Sequence, residues 1–582
     1  MASIPVIVKH QGKRHELDVD PESTGETFKY QLYSITGVEP ARQKILVKGG
    51  QLKDEMVLST LNIKPGHSFM MMGTPGEGAA AIQRPREKMK FVEDMTEAEA
   101  ARQEGATPAG LQNLGNTCYL NSTLQTLRAV PELQQELMNY TSISSGAGSS
   151  SGLTDLSNFG LGGLGASMDL TASLRDLYKQ MSETQEGFPP LMFLNALRTA
   201  FPQFAQKSKT GQGYAQQDAE EAWSQILSQL RQKLKIKDAA DDISFVDKYL
   251  SGKFDSVLVC DDVSANEEAV HSSDTFLKLD CHITAQTNHL RDGILDGLSE
   301  KIEKRSESLG QDTTYTKTSR ISRLPKYLTV HFVRFFWKRD AQKKAKIMRK
   351  VTFPQELDAV EFCADELKKA LIPVRDKIRE VRKDEEDVER ARKRQRRMEK
   401  AAETAAAAVA AERKTGGSAS EIELAKEKEA AKKGTGNGGD TDMTDVAHKT
   451  DAEIEAERAA SILAAKKELL TLVDPRLNED AGANKTGLYE LRGVITHKGA
   501  SADSGHYTSY VKKDGKKDPN TGKVEDSDRW WWFNDDKVTE VGEEIIDTLS
   551  GGGESHSALI LLYRAVEIPT VEEVENLEKM KE

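Results

Sequence analysis

The chain has 582 residues, of which 30% are charged, and a formal net charge of -12. That length suits three or four folded units at about 150 residues each, and the acidic balance argues against nucleic acid as the main partner. The four cysteines, Cys118, Cys260, Cys281 and Cys363, include no CxxC spacing, which excludes a zinc ribbon or a disulfide framework and suits a reducing compartment. With no basic-then-apolar leader and no apolar run long enough for a bilayer, the sequence reads as a soluble intracellular protein that needs no membrane.

In chain order, residues 3–75 read as a separate small domain. Ile4-Pro5-Val6-Ile7-Val8 and His15-Glu16-Leu17-Asp18-Val19 flank the turn Gln11-Gly12-Lys13 as a hairpin. A helix is predicted from about Ser23 to Thr36, followed by short strands at Lys44-Ile45-Leu46-Val47 and Ser68-Phe69-Met70-Met71-Met72. This order resembles the ubiquitin β-grasp fold, although Gly73-Thr74-Pro75-Gly76 runs on without a free Gly-Gly end. The resemblance implies a docking module. Strand alternation sends Leu46, Met70 and Met72 to one outward face, an apolar patch suited to a partner surface. Residues 76–104, rich in Gly, Ala, Glu and Pro, read as a flexible linker.

Cys118 ends the run Gly110-Leu111-Gln112-Asn113-Leu114-Gly115-Asn116-Thr117-Cys118, and apolar Leu120, Leu124, Leu127 and Val130 follow it at helical spacing up to Pro131. The cysteine therefore opens a helix. With Asn116 or Thr117 as its cap, the thiol sits at the positive end of the helix dipole, where a thiolate is favoured near neutrality. Residues 365–480 are dominated by Lys, Arg, Glu and Ala, with the polar run Gly434-Thr435-Gly436-Asn437-Gly438-Gly439. Such a stretch cannot bury enough apolar surface to offset chain entropy and reads as an insertion of charged, solvent-exposed helices joined by disorder. Within it, Arg392-Lys393-Arg394-Gln395-Arg396-Arg397 reads first as a solvated helix face and second as a nuclear import signal or basic patch.

After the insertion, Leu488 to Thr496 is strand-like, Lys498 to Gly505 is a small-residue mobile loop, and His506-Tyr507-Thr508-Ser509-Tyr510-Val511 is a strand. Trp530-Trp531-Trp532-Phe533 is another, ending at Asn534-Asp535-Asp536. If Tyr510 pairs with Trp530 in an antiparallel hairpin, Asn534 falls opposite His506. A cysteine nucleophile needs such a base and orienter. His506 would take the thiol proton and later protonate the leaving amine. Asn534 would orient the ring, Asp535 would do so instead or order water, and Asn113 would donate to the developing oxyanion. His497 reads as structural.

These motifs resemble the ubiquitin-specific proteases: Gly110 to Ser122 their cysteine box, and Gly505-His506-Tyr507 with Trp532-Phe533-Asn534-Asp535 their histidine box. Gln216-Gln217-Asp218-Ala219-Glu220-Glu221, Leu324-Pro325-Lys326-Tyr327-Leu328 and Leu559 to Tyr563 resemble further family segments, so the resemblance spans about 105–568 with a charged tail at 569–582. It implies an α+β fold, a papain-like thumb and palm with β-fingers, that hydrolyses the bond after the C-terminal glycine of ubiquitin without cofactor or metal. It also implies that Asp218, Glu221 and Tyr507 contact ubiquitin. Cys260 and Cys281 stand isolated where many members pair zinc ligands in the fingers, and Asn534 stands where many have aspartate. The ubiquitin-like domain, the charged insertion and Leu549-Ser550-Gly551-Gly552-Gly553 resemble the proteasome-associated members. By that resemblance the partners are ubiquitin, ubiquitinated proteins and the 26S proteasome regulatory particle, in cytoplasm and nucleus. Leu46, Met70 and Met72 would dock, and the loop before His506 would block the cleft until docking moves it. The alternative is a noncatalytic ubiquitin-binding regulator of the proteasome.

Overall fold

The computed structural model describes residues 4–11, 13–36, 38–47, 50–61, 63–73, 95–103, 105–141, 169–208, 213–237, 242–338, 343–414, 451–501, 504–515, 527–553 and 555–579. The chain forms two compact units, Met1–Met95 and Thr96–Glu582.

In the first unit, strands Ile4–His10 and Lys13–Val19 form the expected hairpin, and His67–Met72 lies parallel to the first of them. Lys44–Val47 and Gly50–Gln51 complete a five-stranded sheet. Helix Gly25–Thr36 buries Phe28 and Leu32, four residues apart and so on one face, against Val6, Val8, Ile45 and Phe69. Each such side chain contributes about 1.5 to 3 kcal/mol of transfer free energy. On the other side of the sheet, Leu46 pairs directly with Met70, and Leu46, Met70 and Met72 are 44%, 53% and 48% exposed. The alternation therefore produces the apolar patch that the sequence predicts.

The catalytic-domain candidate is built on an eight-stranded sheet in the order Leu279–His282, Tyr327–Val333, Ser557–Ala565, Leu488–Ser501, Ser504–Lys512, Arg529–Asn534 and Lys537–Gly542. Its eighth strand, Glu356–Asp358, pairs with the start of Leu488–Ser501. Helix Cys118–Leu127 packs on Ser504–Lys512, and every one of its residues is buried. Its polar residues are accommodated locally: Ser122 and Thr126 donate to Cys118 O and Ser122 O at 2.9 Å each, and Gln125 Nε2 donates to Ala109 O at 2.8 Å. Helices Leu170–Met181, Leu191–Ala200 and Ala219–Lys233 surround it.

A separate four-stranded sheet, Ser299–Arg305, Asp312–Arg323, Gly252–Cys260 and Val270–Phe276, forms the fingers. Cys260 ends one finger strand, whereas Cys281 lies buried in the large sheet rather than in the fingers. Glu267 ties the finger hairpins together: its carboxylate accepts from Ser306 Oγ at 2.6 Å, Tyr315 OH at 2.5 Å and Ser308 Oγ at 2.9 Å.

Two expectations need correction. The linker is not irregular throughout, because Glu97–Ala101 is a helix closed by a Thr96/Glu99 capping box and held to the catalytic unit by Arg102 with Glu183 and by Gln185 Nε2 on Ala100 O; residues 74–94 lie outside the described residues. The insertion is anchored at its root. Asp365–Lys414 is a single helix of 50 residues, about 75 Å long at 1.5 Å per residue. Asp451–Leu472 folds back on it, so that Val374, Ile378 and Leu469 make a core with Leu488 and Val566. Lys377 pairs with Glu468 and Lys466 with Glu385, both at 2.6 Å, and Arg382 reaches Glu490 on the sheet. Farther out, Arg392 to Arg397 are exposed, as a solvated face requires, while residues 415–450 lie outside the described residues. Within the charged tail, Val571–Lys579 is a helix that buries Val574 and pairs Glu578 with Lys467 of the returning helix.

The hydroxyls of Ser306, Tyr315 and Ser308 hold the Glu267 carboxyl down at about 2. Its ionised form is therefore the one the fold favours: this contribution is complete above the ordinary glutamate range and is lost as pH falls through it toward about 2. Glu267→Ala is expected to speed amide exchange in the finger strands without changing protection of helix Cys118–Leu127; unchanged exchange in the fingers would remove Glu267 as their tie.

Candidate active site

The turn before the helix is built by Asn113. Its Oδ1 accepts from the backbone N–H groups of Gly115 at 3.0 Å and Thr117 at 3.2 Å, while Thr117 Oγ1 accepts from Leu114 N at 2.9 Å. Thr117 occupies the cap position but makes no side-chain cap bond, because its hydroxyl is spent on this turn. Asn116 adopts a left-handed φ of 56° and donates to Tyr214 O at 3.0 Å. Cys118 opens the helix as predicted, but the residue is only 3% exposed. Burial pushes the thiol up to about 11, with the Asp535 charge adding to the rise and the Tyr507 N–H opposing it. Burial thus favours the neutral thiol, opposite in direction to the helix-start effect that the sequence suggests. Burial outweighs a helix N-terminus, which is worth about 0.3 to 1 kcal/mol.

His506 Nε2 lies 2.6 Å from Asn534 Oδ1. An amide oxygen only accepts, so Nε2 carries the proton and Nδ1 is left with a lone pair. The pair forms by a different register from the one predicted: Tyr510 faces Trp532 and Ser509 faces Phe533. A shift of two residues keeps every side chain on its face, so His506 and Asn534 become diagonal neighbours and still meet. The predicted mobile loop is also different. The strands run on through Ser501 and Ser504 as a hairpin, with residues 502–503 outside the described residues. Gly505, at φ 124°, is required there, since a Cβ would stand 2.2 Å from Lys498 O.

Asp535 sits in the turn after Asn534 at φ 54° and bonds across to the cysteine side, not to His506. Its backbone carbonyl accepts from Leu111 N at 2.9 Å, and its carboxylate accepts from Asn113 Nδ2 at 3.0 Å and from Asn121 Nδ2 at 2.8 Å. Asn113 therefore has one amide N–H engaged and one remaining. Tyr507 is buried, with its ring 4.6 Å from that of His497 and its backbone N–H at the thiol. Asp218 caps helix Ala219–Lys233 by accepting from Glu220 N at 3.0 Å, and Glu221 lies in its first turn, both half-buried. This helix packs beside Cys118–Leu127.

Sequence reasoning missed Asn121, Lys346 and His556. Asn121 shows as an amide on an otherwise core-facing helix, which is a detectable signal. The other two carry none. Lys346 Nζ donates to His497 O at 2.6 Å, pinning hairpin Phe335–Lys346 against strand Leu488–Ser501. Burial and nearby Arg334 push its amine down to about 8. His497 is fully buried beside Phe335 and held down at about 3 by burial, which fits its structural reading. His556 Nδ1 lies 3.1 Å from Thr496 Oγ1, and its ring is 6.4 Å from that of His506. Burial, with His506 adding to it, holds this ring down at about 4.

This arrangement, a thiol at the start of a helix packed on the strand that carries an imidazole paired to an amide, has the groups that acyl transfer through a thioester needs. Residues 109–563 match the family model of the ubiquitin carboxyl-terminal hydrolases, and residues 6–76 match that of the ubiquitin family. The chain belongs to the ubiquitin carboxyl-terminal hydrolase family. It is 42% identical over 565 residues to ubiquitin carboxyl-terminal hydrolase 6 of Schizosaccharomyces pombe, covering 97% of this chain and 99% of that one. It is 36% identical to ubiquitin carboxyl-terminal hydrolase 7 of Arabidopsis thaliana (97% and 99% covered) and 30% identical to ubiquitin carboxyl-terminal hydrolase 14 of Caenorhabditis elegans (97% and 94% covered). As a member of this family, the protein is a cysteine-dependent deubiquitinase with an N-terminal ubiquitin-like domain.

Gly505→Ala should cost roughly tenfold or more in hydrolysis of a fluorogenic ubiquitin amide, because the added methyl forces apart the hairpin that carries His506. Activity equal to wild type would show that the hairpin tolerates the displacement.

Proposed function

We propose that the protein removes ubiquitin from conjugates held at the proteasome, with Cys118 as nucleophile, His506 as base and acid, Asn534 as orienter of His506, and the ubiquitin-like domain as the dock. The observation that carries the chemistry is the His506 Nε2 to Asn534 Oδ1 bond, because it leaves Nδ1 as the proton acceptor. His506 takes the Cys118 proton, and the sulfur attacks the carbonyl carbon of the last glycine of ubiquitin. The free N–H of Asn113, with backbone N–H groups near Cys118, meets the oxyanion. The C–N bond breaks as the amine takes the proton from His506. Water activated by His506 then cleaves the thioester, returning the thiol and a ubiquitin carboxylate.

Asp218 and Glu221, at the start of a helix beside that of Cys118, are suited to receive the basic residues near the tail of ubiquitin. The Leu46, Met70 and Met72 patch supports docking, since an exposed apolar cluster on a sheet face suits a partner surface. The neutral, buried thiol supports a resting enzyme that partner binding activates. Against the noncatalytic alternative, the family assignment and the presence of Cys118, His506, Asn534 and Asn113 in the sequence support the catalytic reading.

The test is labelling of the full chain by ubiquitin carrying a C-terminal electrophile, with and without proteasomes. Labelling is expected to vanish in Cys118→Ala and to rise with proteasomes in wild type, whereas Leu46→Asp with Met70→Asp should lose the rise. A rise that survives the patch substitutions would remove the docking assignment, and labelling that survives Cys118→Ala would remove the nucleophile.

A further inference from the structure

Asn121 lies three residues past Cys118 on the same helix and is 2% exposed. Its Nδ2 stands 2.8 Å from Asp535 Oδ1, 3.1 Å from Leu111 O and 3.3 Å from Gln112 O. All three neighbours only accept, so the amide can face one way alone. Its Oδ1 is buried with no hydrogen-bond partner. A buried amide whose acceptor is unmet is an unfavourable choice for filling space, so the donor end is what the site uses.

The other end of the same carboxylate, Asp535 Oδ2, accepts from Asn113 Nδ2 at 3.0 Å, while Asn113 Oδ1 is held by the N–H groups of Gly115 and Thr117. The Asn113 amide is thus fixed at both ends. Removing Asn121 would leave Asp535 Oδ1 without its inner donor and let the carboxylate turn about its remaining contact. Asn121 makes no contact with His506 or Asn534 among the described residues.

We propose that Asn121 is a positioning residue for the hydrolysis: it anchors the Asp535 carboxylate, which in turn aims the Asn113 amide at the oxyanion. This assignment rests on the roles given above to Cys118 and Asn113. It separates two jobs on one turn, since Asn534 serves the base and Asp535 serves the oxyanion donor. Asp535 accordingly leaves the pool of candidate His506 orienters.

The test compares two probes on the full chain. Hydrolysis of a fluorogenic amide at the ubiquitin C-terminus passes through an oxyanion. Ubiquitin ending in an alkyne does not: the Cys118 sulfur forms a C–S bond to one alkyne carbon as the thiol proton passes to the other. Asn121→Ala should lower kcat for the amide about tenfold to a hundredfold, with KM and the rate of alkyne addition held within about threefold. Adding Asn113→Ala should lower kcat little further, because both variants remove the same aimed donor. Asp535→Asn, close in shape but facing one of the two amides with an N–H, should show the same split and decides the matter if Asn121→Ala does not fold. Equal losses with both probes, or additive losses in the double variant, would overturn the proposal. If wild type adds no alkyne at Cys118, the nucleophile reading fails and this assignment falls with it; addition without the split removes the positioning role alone.

Discussion

The turn at Asp535 is the constraint on which the site depends. The cysteine and histidine elements come from distant parts of the sequence, as the 422-residue separation between Asn113 and Asp535 shows. Three contacts from one residue close that gap: the Asp535 carbonyl to Leu111, and its two carboxylate oxygens to Asn113 and Asn121. Gly110 permits the approach, since a Cβ there would stand 2.4 Å from Asp536 O. The part-buried bond from Asn121 is charge-assisted, of a kind worth about 1.5 to 3 kcal/mol, and with the other two it holds sheet and helix in register.

The same closure works against the nucleophile. It excludes water from the thiol and places a carboxylate beside it, and both effects favour the neutral form. The positive end of the helix and the Tyr507 N–H act in the other direction and are too weak to prevail. The base and its orienter are paired, while burial favours the neutral thiol. Elsewhere on the sheet, Lys346 pins the strand pair Phe335–Lys338 and Lys343–Lys346 to the His497 carbonyl of strand Leu488–Ser501.

What the sequence disclosed follows from how local each feature is. The ubiquitin-like sheet was legible because its alternation and short turns are written within a few residues of each other, and Leu46 and Met70 landed as cross-strand partners as that pattern implies. The helix start at Cys118 was equally local. The hairpin carrying His506 and Asn534 was recognisable, but its register depends on packing of the Trp-rich strand, so the pairing slipped by two while the faces stayed right. Composition concealed the packed root of the insertion, because Val374, Ile378 and Leu469 are a thin apolar stripe in charged sequence that finds its partners only at Leu488 and Val566. Asp535 was read as an accessory of His506 from adjacency alone; only the fold shows its carboxylate turned to the opposite side.

The most direct test of a closed site with a neutral thiol is the rate of Cys118 alkylation by a small haloacetamide as a function of pH in the free full chain. With the thiol pushed up to about 11, the rate should keep climbing through the alkaline range with no plateau near neutrality. A plateau reached at about pH 7 or below, the signature of a thiolate already formed beside His506, would contradict the account.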